Sequence, residues 1–211
     1  MLRASLTKSA RLLLRRWKLL IIRTAETAGF CFGVDRAVGL VYKSLENGKT
    51  ATLGEIIHNP DVVRDMQSKG VRIISSPDEA ESDETVVIRS HGVADSIYRE
   101  LEENNIRYID GTCPYVSRIH KIVREKSEAG YTVVIMGDSA HPEVEGIAGC
   151  CKSAPVVLPD DEALKKFLAE FCGNCEKGIA ITAQTTYNIN IWDKCRRIVS
   201  ESGVPCEMFD T

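Results

Sequence analysis

Two cysteines, three histidines, one glutamate and one threonine carry the chemistry open to this sequence. Cys113 lies in Ile109-Asp110-Gly111-Thr112-Cys113-Pro114. A short strand ends just ahead of it, and Pro114 can start a helix because proline fits the first helical position, where no amide donor is needed. A thiol at that corner lies beside the first amides of a helix, whose positive end favours a thiolate. The alternative is a small buried apolar residue, a common state of free cysteine. Cys31, in Gly29-Phe30-Cys31-Phe32-Gly33, has a similar setting. His58, His91, His141 with Glu143, and Thr185 each follow an expected strand closely. In open α/β sheets the strand ends share one edge, and ligands bind there. Any one of these residues alone has a structural explanation. Three of the chain's four histidines at such corners, with two cysteines flanked by Gly or Pro, predict one shared site.

The residue types narrow what that site can do. Cys31 and Cys113 are too far apart for a ferredoxin-type run, whose ligands crowd together. A metal or cluster here would be assembled across domains with fewer ligands than a closed site, leaving a position open for substrate. Histidines and a threonine hydroxyl can donate to phosphate oxygens, helped by helix N-termini. Glu143, close to His141, can relay a proton.

Strands alternating with helices must position these residues. Strands are expected at Leu19–Ile22, ending near Glu55–Ile57, at Val71–Ile74, Thr85–Ile88, around Arg107–Ile109, and at Tyr131–Met136, Ala154–Leu158, Gly178–Thr182 and Cys206–Phe209. Helices are expected after Cys31 up to Gly48, from Pro60 with Asn59 as its cap, from Ala94 to Glu103, from Pro114 to Gly130, from Asp160 to Phe171, and from Asn188 to Ser202. This rhythm predicts α/β architecture with parallel sheets, in two similar units meeting near Gly111. The expected division is a basic extension over 1–18, a first domain over 19–110 and a second over 111–211.

Composition excludes several classes. At 211 residues, 44% hydrophobic and 27% charged, the chain is of ordinary globular type, with no apolar run long enough to span a bilayer. Residues 1–25 hold seven Lys or Arg and no acid, leaving 20 basic against 30 acidic residues in the remainder. An acidic body argues against nucleic-acid binding. Met1–Lys18 is compatible with a transit peptide, a membrane-surface helix, a disordered extension or a start placed too far upstream. Eight cysteines without a convincing secretory signal point to a reducing, cytoplasmic setting. Cys172-Gly173-Asn174-Cys175 has redox spacing but no second pair and reads as a surface loop. Cys150 and Cys151 read as helix-face residues, Cys195 as mid-helix, Cys206 as a strand residue, and His120 as part of a solvated helix face, with support of the Cys113 site as its alternative.

The stretches Gly29–Ala37, His58-Asn59, Ser90-His91-Gly92, Thr112-Cys113-Pro114, His141–Gly146 and Gln184-Thr185-Thr186 together resemble the 4-hydroxy-3-methylbut-2-enyl diphosphate reductase family, in order and approximate spacing. The resemblance runs from about Leu19 to Thr211. It implies an iron–sulfur reductase of the methylerythritol phosphate route to isoprenoids, with three α/β domains in a trefoil around a 4Fe–4S cluster held by three cysteines. Cys31 and Cys113 would be two cluster ligands. His58, His91 and His141 would surround the diphosphate and the substrate's alcohol end, with Glu143 as proton donor and Thr185 in its support. Reduced ferredoxin or flavodoxin would supply two electrons, giving isopentenyl and dimethylallyl diphosphates. The family's third cysteine opens its last domain, and Met208-Phe209-Asp210-Thr211 resembles a corner ending just before it, so a chain lacking the third domain is expected. The competing readings are a diphosphate-binding α/β module without redox chemistry and a simple electron carrier. A carrier would need a fully ligated cluster, which two cysteines do not provide.

Overall fold

The computed structural model describes residues 23–26, 28–171 and 177–210. The expected first strand at Leu19–Ile22 and the Cys172–Cys175 spacing lie outside them. Cys31–Thr211 form one compact unit. In the separate unit Met1–Phe30, the described backbone makes one turn, closed by the Ala28 amide on the Ala25 carbonyl at 3.0 Å.

The larger unit runs α1 (Phe32–Leu45), β1 (Thr50–Leu53), α2 (Pro60–Ser68), β2 (Arg72–Ile74), a 3-10 turn (Pro77–Glu79), β3 (Thr85–Ile88), α3 (Asp95–Glu103) and β4 (Tyr108–Asp110). It continues with α4 (Pro114–Glu128), β5 (Thr132–Met136), α5 (Pro142–Ala148), β6 (Val156–Leu158), α6 (Asp161–Glu170), β7 (Ile179–Ala183), α7 (Ile189–Ser202) and β8 (Cys206–Met208). Two four-stranded sheets result, ordered β2-β1-β3-β4 and β6-β5-β7-β8, with every described pairing parallel. The second sheet repeats the order of the first, so the unit is a duplicated α/β module.

Each sheet is covered on both faces, as parallel sheets require. In the first, Val87 packs with Ala37, Val41, Ile56 and Met66, while its neighbours Val86 and Ile88 pack with Leu53, Ile74 and Leu101. In the second, Val134 and Met136 face Leu164, Trp192 and Cys195, while Val133 and Ile135 face Ile119, Val123, Val144 and Ile147. Successive strand residues point to opposite faces, which explains both the near-continuous apolar runs and their partition.

Caps set where the helices begin. The Asn59 side chain accepts the amides of Asp61 and Val62 at 3.0 and 3.3 Å ahead of α2, and Asp160 accepts that of Ala163 at 2.8 Å ahead of α6. Gly203, at φ +70°, ends α7 in the left-handed conformation that lacks steric cost only for glycine.

Four expectations need correction. The strand expected to reach Ile57 ends at Leu53, because Gly54 at φ +73° turns the chain; Ile56 and Ile57 enter the core from an irregular loop instead. Helix α5 was not anticipated: seven residues are too few for a periodic apolar signal. Cys150 and Cys151 follow its end instead of occupying a helix face, and Cys150 is buried with Ile119 and Ile147. His120 is buried at 5% exposure, not solvated.

The two halves meet closely where α5 passes the loop after β3. A Cβ on Gly146 would lie 3.3 Å from the Gly92 carbonyl oxygen, and one on Gly149 would lie 2.2 Å from the Ala94 Cβ. Gly149→Ala should therefore push α5 off that loop and destabilise the chain by about 1–3 kcal/mol, the usual cost of overpacking, measured by urea unfolding. An unchanged midpoint would show that the seam yields freely.

Candidate functional site

One cavity of about 460 Å³ lies where the two sheets' corners converge, and Cys31, His58, His91, Cys113, His141, Glu143 and Thr185 all line it. The duplication explains the pairing of residue types. Cys31 is the N-cap residue of α1 and Cys113 that of α4, and neither side chain bonds the helix it begins. Both are free thiols. His58 stands immediately before the cap of α2, and His141 is the cap of α5.

The three imidazoles cluster. Ring centroids are 4.5 Å apart for His58 and His91, 5.4 Å for His91 and His141, and 5.6 Å for His58 and His141. One nitrogen from each lies within 4.8 Å of the others. Burial first, then the neighbouring His58, His141 and Arg89, lowers the His91 pKa from 6.5 to about 4. His91 is therefore neutral at physiological pH. Its Nδ1 is buried without a protein hydrogen-bond partner, so the cavity offers a polar atom that a ligand can satisfy.

Glu143 is 2% exposed. Its carboxylate accepts the Thr185 amide at 2.6 Å on Oε1 and the Thr185 hydroxyl at 2.9 Å on Oε2. Thr185 belongs to the loop after β7, held by Gln184. The Gln184 Oε1 accepts the Asp138 amide at 2.9 Å, and its Nε2 donates to the Thr186 hydroxyl at 2.8 Å.

Ser90, part of the Ser90-His91-Gly92 stretch but given no role by its sequence, joins three corners. Its amide and hydroxyl both donate to the Ile56 carbonyl, at 3.2 and 3.1 Å, and its own carbonyl accepts the Cys113 amide at 2.9 Å. Arg36 of α1 donates to the Thr112 and Asp110 carbonyls at 3.1 and 3.0 Å, tying the Cys31 helix to the Cys113 corner. Gly33 lets the two approach, since a Cβ there would lie 2.4 Å from the Cys113 Sγ. Gly111 permits the corner itself, as its Cβ would lie 2.2 Å from the Ile88 carbonyl oxygen. Phe32 and Tyr115, 67% and 62% exposed, also line the cavity. Their signal in the sequence was adjacency to the two cysteines.

His120 lies behind the His91 loop. Burial, and then Arg124, lowers its pKa to about 4, opposed by Asp95 and Asp110, and its Nε2 has no partner. It lines a second cleft of about 790 Å³ with the bidentate Asp95–Arg124 pair, Cys150 and Cys151. Cys195 is in mid-helix as expected and buried in the second sheet's core, and Cys206 packs partly buried against that core, not on the cavity.

A duplicated parallel α/β module with thiols, imidazoles and a carboxylate on one cavity is the class that fold and site define. The chain belongs to the LytB protein family, whose model matches residues 22–211. It is 39% identical over 196 residues to a protein of Caldanaerobacter subterraneus named 4-hydroxy-3-methylbut-2-enyl diphosphate reductase, covering 90% of this chain and 66% of that one. A Clostridioides difficile protein of the same name is 35% identical, over 81% of this chain and 61% of its own length. A solved structure of (E)-4-hydroxy-3-methyl-but-2-enyl diphosphate reductase, the terminal enzyme of the non-mevalonate pathway, is 36% identical with a TM-score of 0.73, covering 89% and 66%. The Plasmodium falciparum reductase, at 22% identity and a TM-score of 0.78, shares the fold over 87% of this chain and 57% of its own. The chain thus spans about three fifths to two thirds of the length of these relatives.

The half-buried His91 and the buried His120 make stability depend on pH. Their folded pKa values lie near 4 and their unfolded values near 6.5, so the unfolded chain binds more protons between those limits. Stability from this source is present above about pH 6.5 and is lost as pH falls toward 4. His120→Gln should remove one proton from that uptake, flattening the slope by roughly 1.4 kcal/mol per pH unit at mid-window. Urea melts at several pH values check this; an unchanged slope would mean that His120 titrates normally.

Proposed function

We propose that this chain supplies the diphosphate-binding and proton-donating parts of an iron–sulfur reductase acting on 4-hydroxy-3-methylbut-2-enyl diphosphate, the activity in its relatives' names. The observation that supports this best is the convergence of all seven residues on one cavity. The donor set fits part of a cluster site. Cys31 and Cys113 are free thiols at the first turns of two long helices, with Gly33 leaving room beside the Cys113 sulfur. When bound, a 4Fe–4S cluster would supply single electrons and a Lewis-acidic iron, with Cys31 and Cys113 as two of its ligands.

The remaining chemistry belongs to the side chains. His58, His91 and His141 orient the diphosphate by N–H donation, helped by the positive ends of α1 and α4. A phosphate oxygen satisfies polar atoms that the protein leaves open, of which the buried His91 Nδ1 is one. Glu143 gives the proton with which the hydroxyl departs as water, and Thr185 aims its carboxyl. Two electrons, from a ferredoxin- or flavodoxin-type donor, and one further proton complete the products, isopentenyl and dimethylallyl diphosphates. The apolar walls from Phe32, Val34, Tyr115 and Val116 suit a short isoprenoid carbon chain. Setting and residue types are consistent with a cytoplasmic enzyme, and no helix among the described residues is long and apolar enough to cross a membrane.

Anaerobic reconstitution tests the redox part. Iron and sulfide should give a coloured protein with less than full iron, because two cysteines line the cavity, and Cys31→Ser or Cys113→Ser should abolish it. A chain that stays colourless favours a diphosphate-binding module instead. The proton step is tested in a chain extended to its relatives' length. Glu143→Gln should lower turnover by about 10²–10⁴-fold with iron content unchanged. Near-normal turnover would remove Glu143 from the reaction.

A further inference from the structure

We propose that the backbone amide of Glu143 locks His141 as its Nε2–H tautomer, making the histidine cluster selective for a phosphate anion over a divalent metal ion. The proposal deepens the diphosphate reading and rests on it for the ligand's identity.

By spacing alone the cluster suits either ligand. Three imidazole nitrogens within 4.8 Å of one another, with an open position beside them, resemble the donor set of a zinc-class cation. His141 decides between the two. Its Nδ1 accepts the Glu143 N–H at 3.1 Å, which caps α5. Pro142 has no amide, so this is the first free donor of that helix.

A neutral imidazole carries one N–H and one lone pair. The cap uses the lone pair, so the proton is on Nε2, the nitrogen left to donate. A metal bound at Nε2 would force that proton onto Nδ1, facing the Glu143 N–H donor to donor. A metal bound at Nδ1 would displace the amide outright. Either way the cap is lost and a backbone donor is left unpaired. An anion accepting from Nε2–H costs the cap nothing and needs no proton uptake. The carboxylate that would compensate a cation is also committed, since both Glu143 oxygens accept from Thr185.

Two-bond ¹⁵N–¹H correlation spectra of the ¹⁵N-labelled chain read the tautomer directly, with His141→Asn assigning the signal. The expected result is a proton on His141 Nε2, a shift of that signal with inorganic diphosphate, and no shift or broadening of it by cobalt(II) chloride. His141→Ala should weaken diphosphate binding by about 10- to 100-fold. His141→Asn, which can cap the helix and still donate, should recover most of that loss. A proton on Nδ1, or visible cobalt bands that vanish in His141→Ala, would overturn the lock even if diphosphate still bound. An Nε2–H tautomer that diphosphate leaves unshifted would overturn the anion reading of the site, and this proposal with it.

Discussion

The arrangement of this site depends on how one buried serine ties the chain together. Ser90 lies just past β3, and its three hydrogen bonds reach the loop that leads to His58 and the corner that carries Cys113. His91 is its immediate neighbour. A single residue at 6% exposure, through one hydroxyl bond and two backbone bonds, thereby links the segments carrying residues 58, 91 and 113, which lie far apart in sequence. Such bonds stabilise modestly in isolation, about 1 kcal/mol each, but leaving the buried partners unpaired is costly. The loop is also hemmed in sterically. A Cβ on Gly92 would lie 2.6 Å from the His120 ring, and Gly146 of α5 packs on its carbonyl. The loop has little freedom to move without loosening all three corners.

Duplication supplies the rest of the geometry. Two modules with the same strand order each place a cysteine at the start of their first helix and a histidine at the start of their second. Close packing of the modules through Gly146 and Gly149 brings these paired corners around one cavity. The modules diverge past their third strands, with His91 after β3 and Thr185 after β7. One module thus contributes two imidazoles, and the other an imidazole with a carboxylate and its hydroxyl partner. The asymmetry gives the cavity a carboxylate side and an imidazole side.

Electrostatics favours a neutral His91 there. Burial penalises a charged His91, and the neighbouring imidazoles, with centroids within 5.6 Å, add to that penalty, as its low pKa reflects. A neutral His91 still offers one N–H group to the cavity. The helix starts at Cys31 and Cys113 add partial positive charge without any titrating group.

Much of this was legible in the sequence. Long apolar strands, Asn59-Pro60, Thr112-Cys113-Pro114 and Gly203 each signal an element or its end through local chemistry, and the structure matches them within one to three residues. The candidate residues were legible too, because parallel sheets put strand ends on one edge. Tertiary contacts decided what local chemistry does not encode. Ile56 and Ile57 looked like strand but were drawn into the core from a loop once Gly54 turned the chain. His120 looked solvated because burial of a polar side chain depends on what packs across it, here the loop that follows β3. Helix α5 was too short to show a period and exists because Gly146 and Gly149 let it settle against that loop. The sequence by itself determined which residues stand at corners, through strand, cap and turn preferences that act over a few neighbours. Only the tertiary structure decided that those corners share a cavity and that Glu143 meets Thr185, because those distances are set by packing between segments far apart in the sequence.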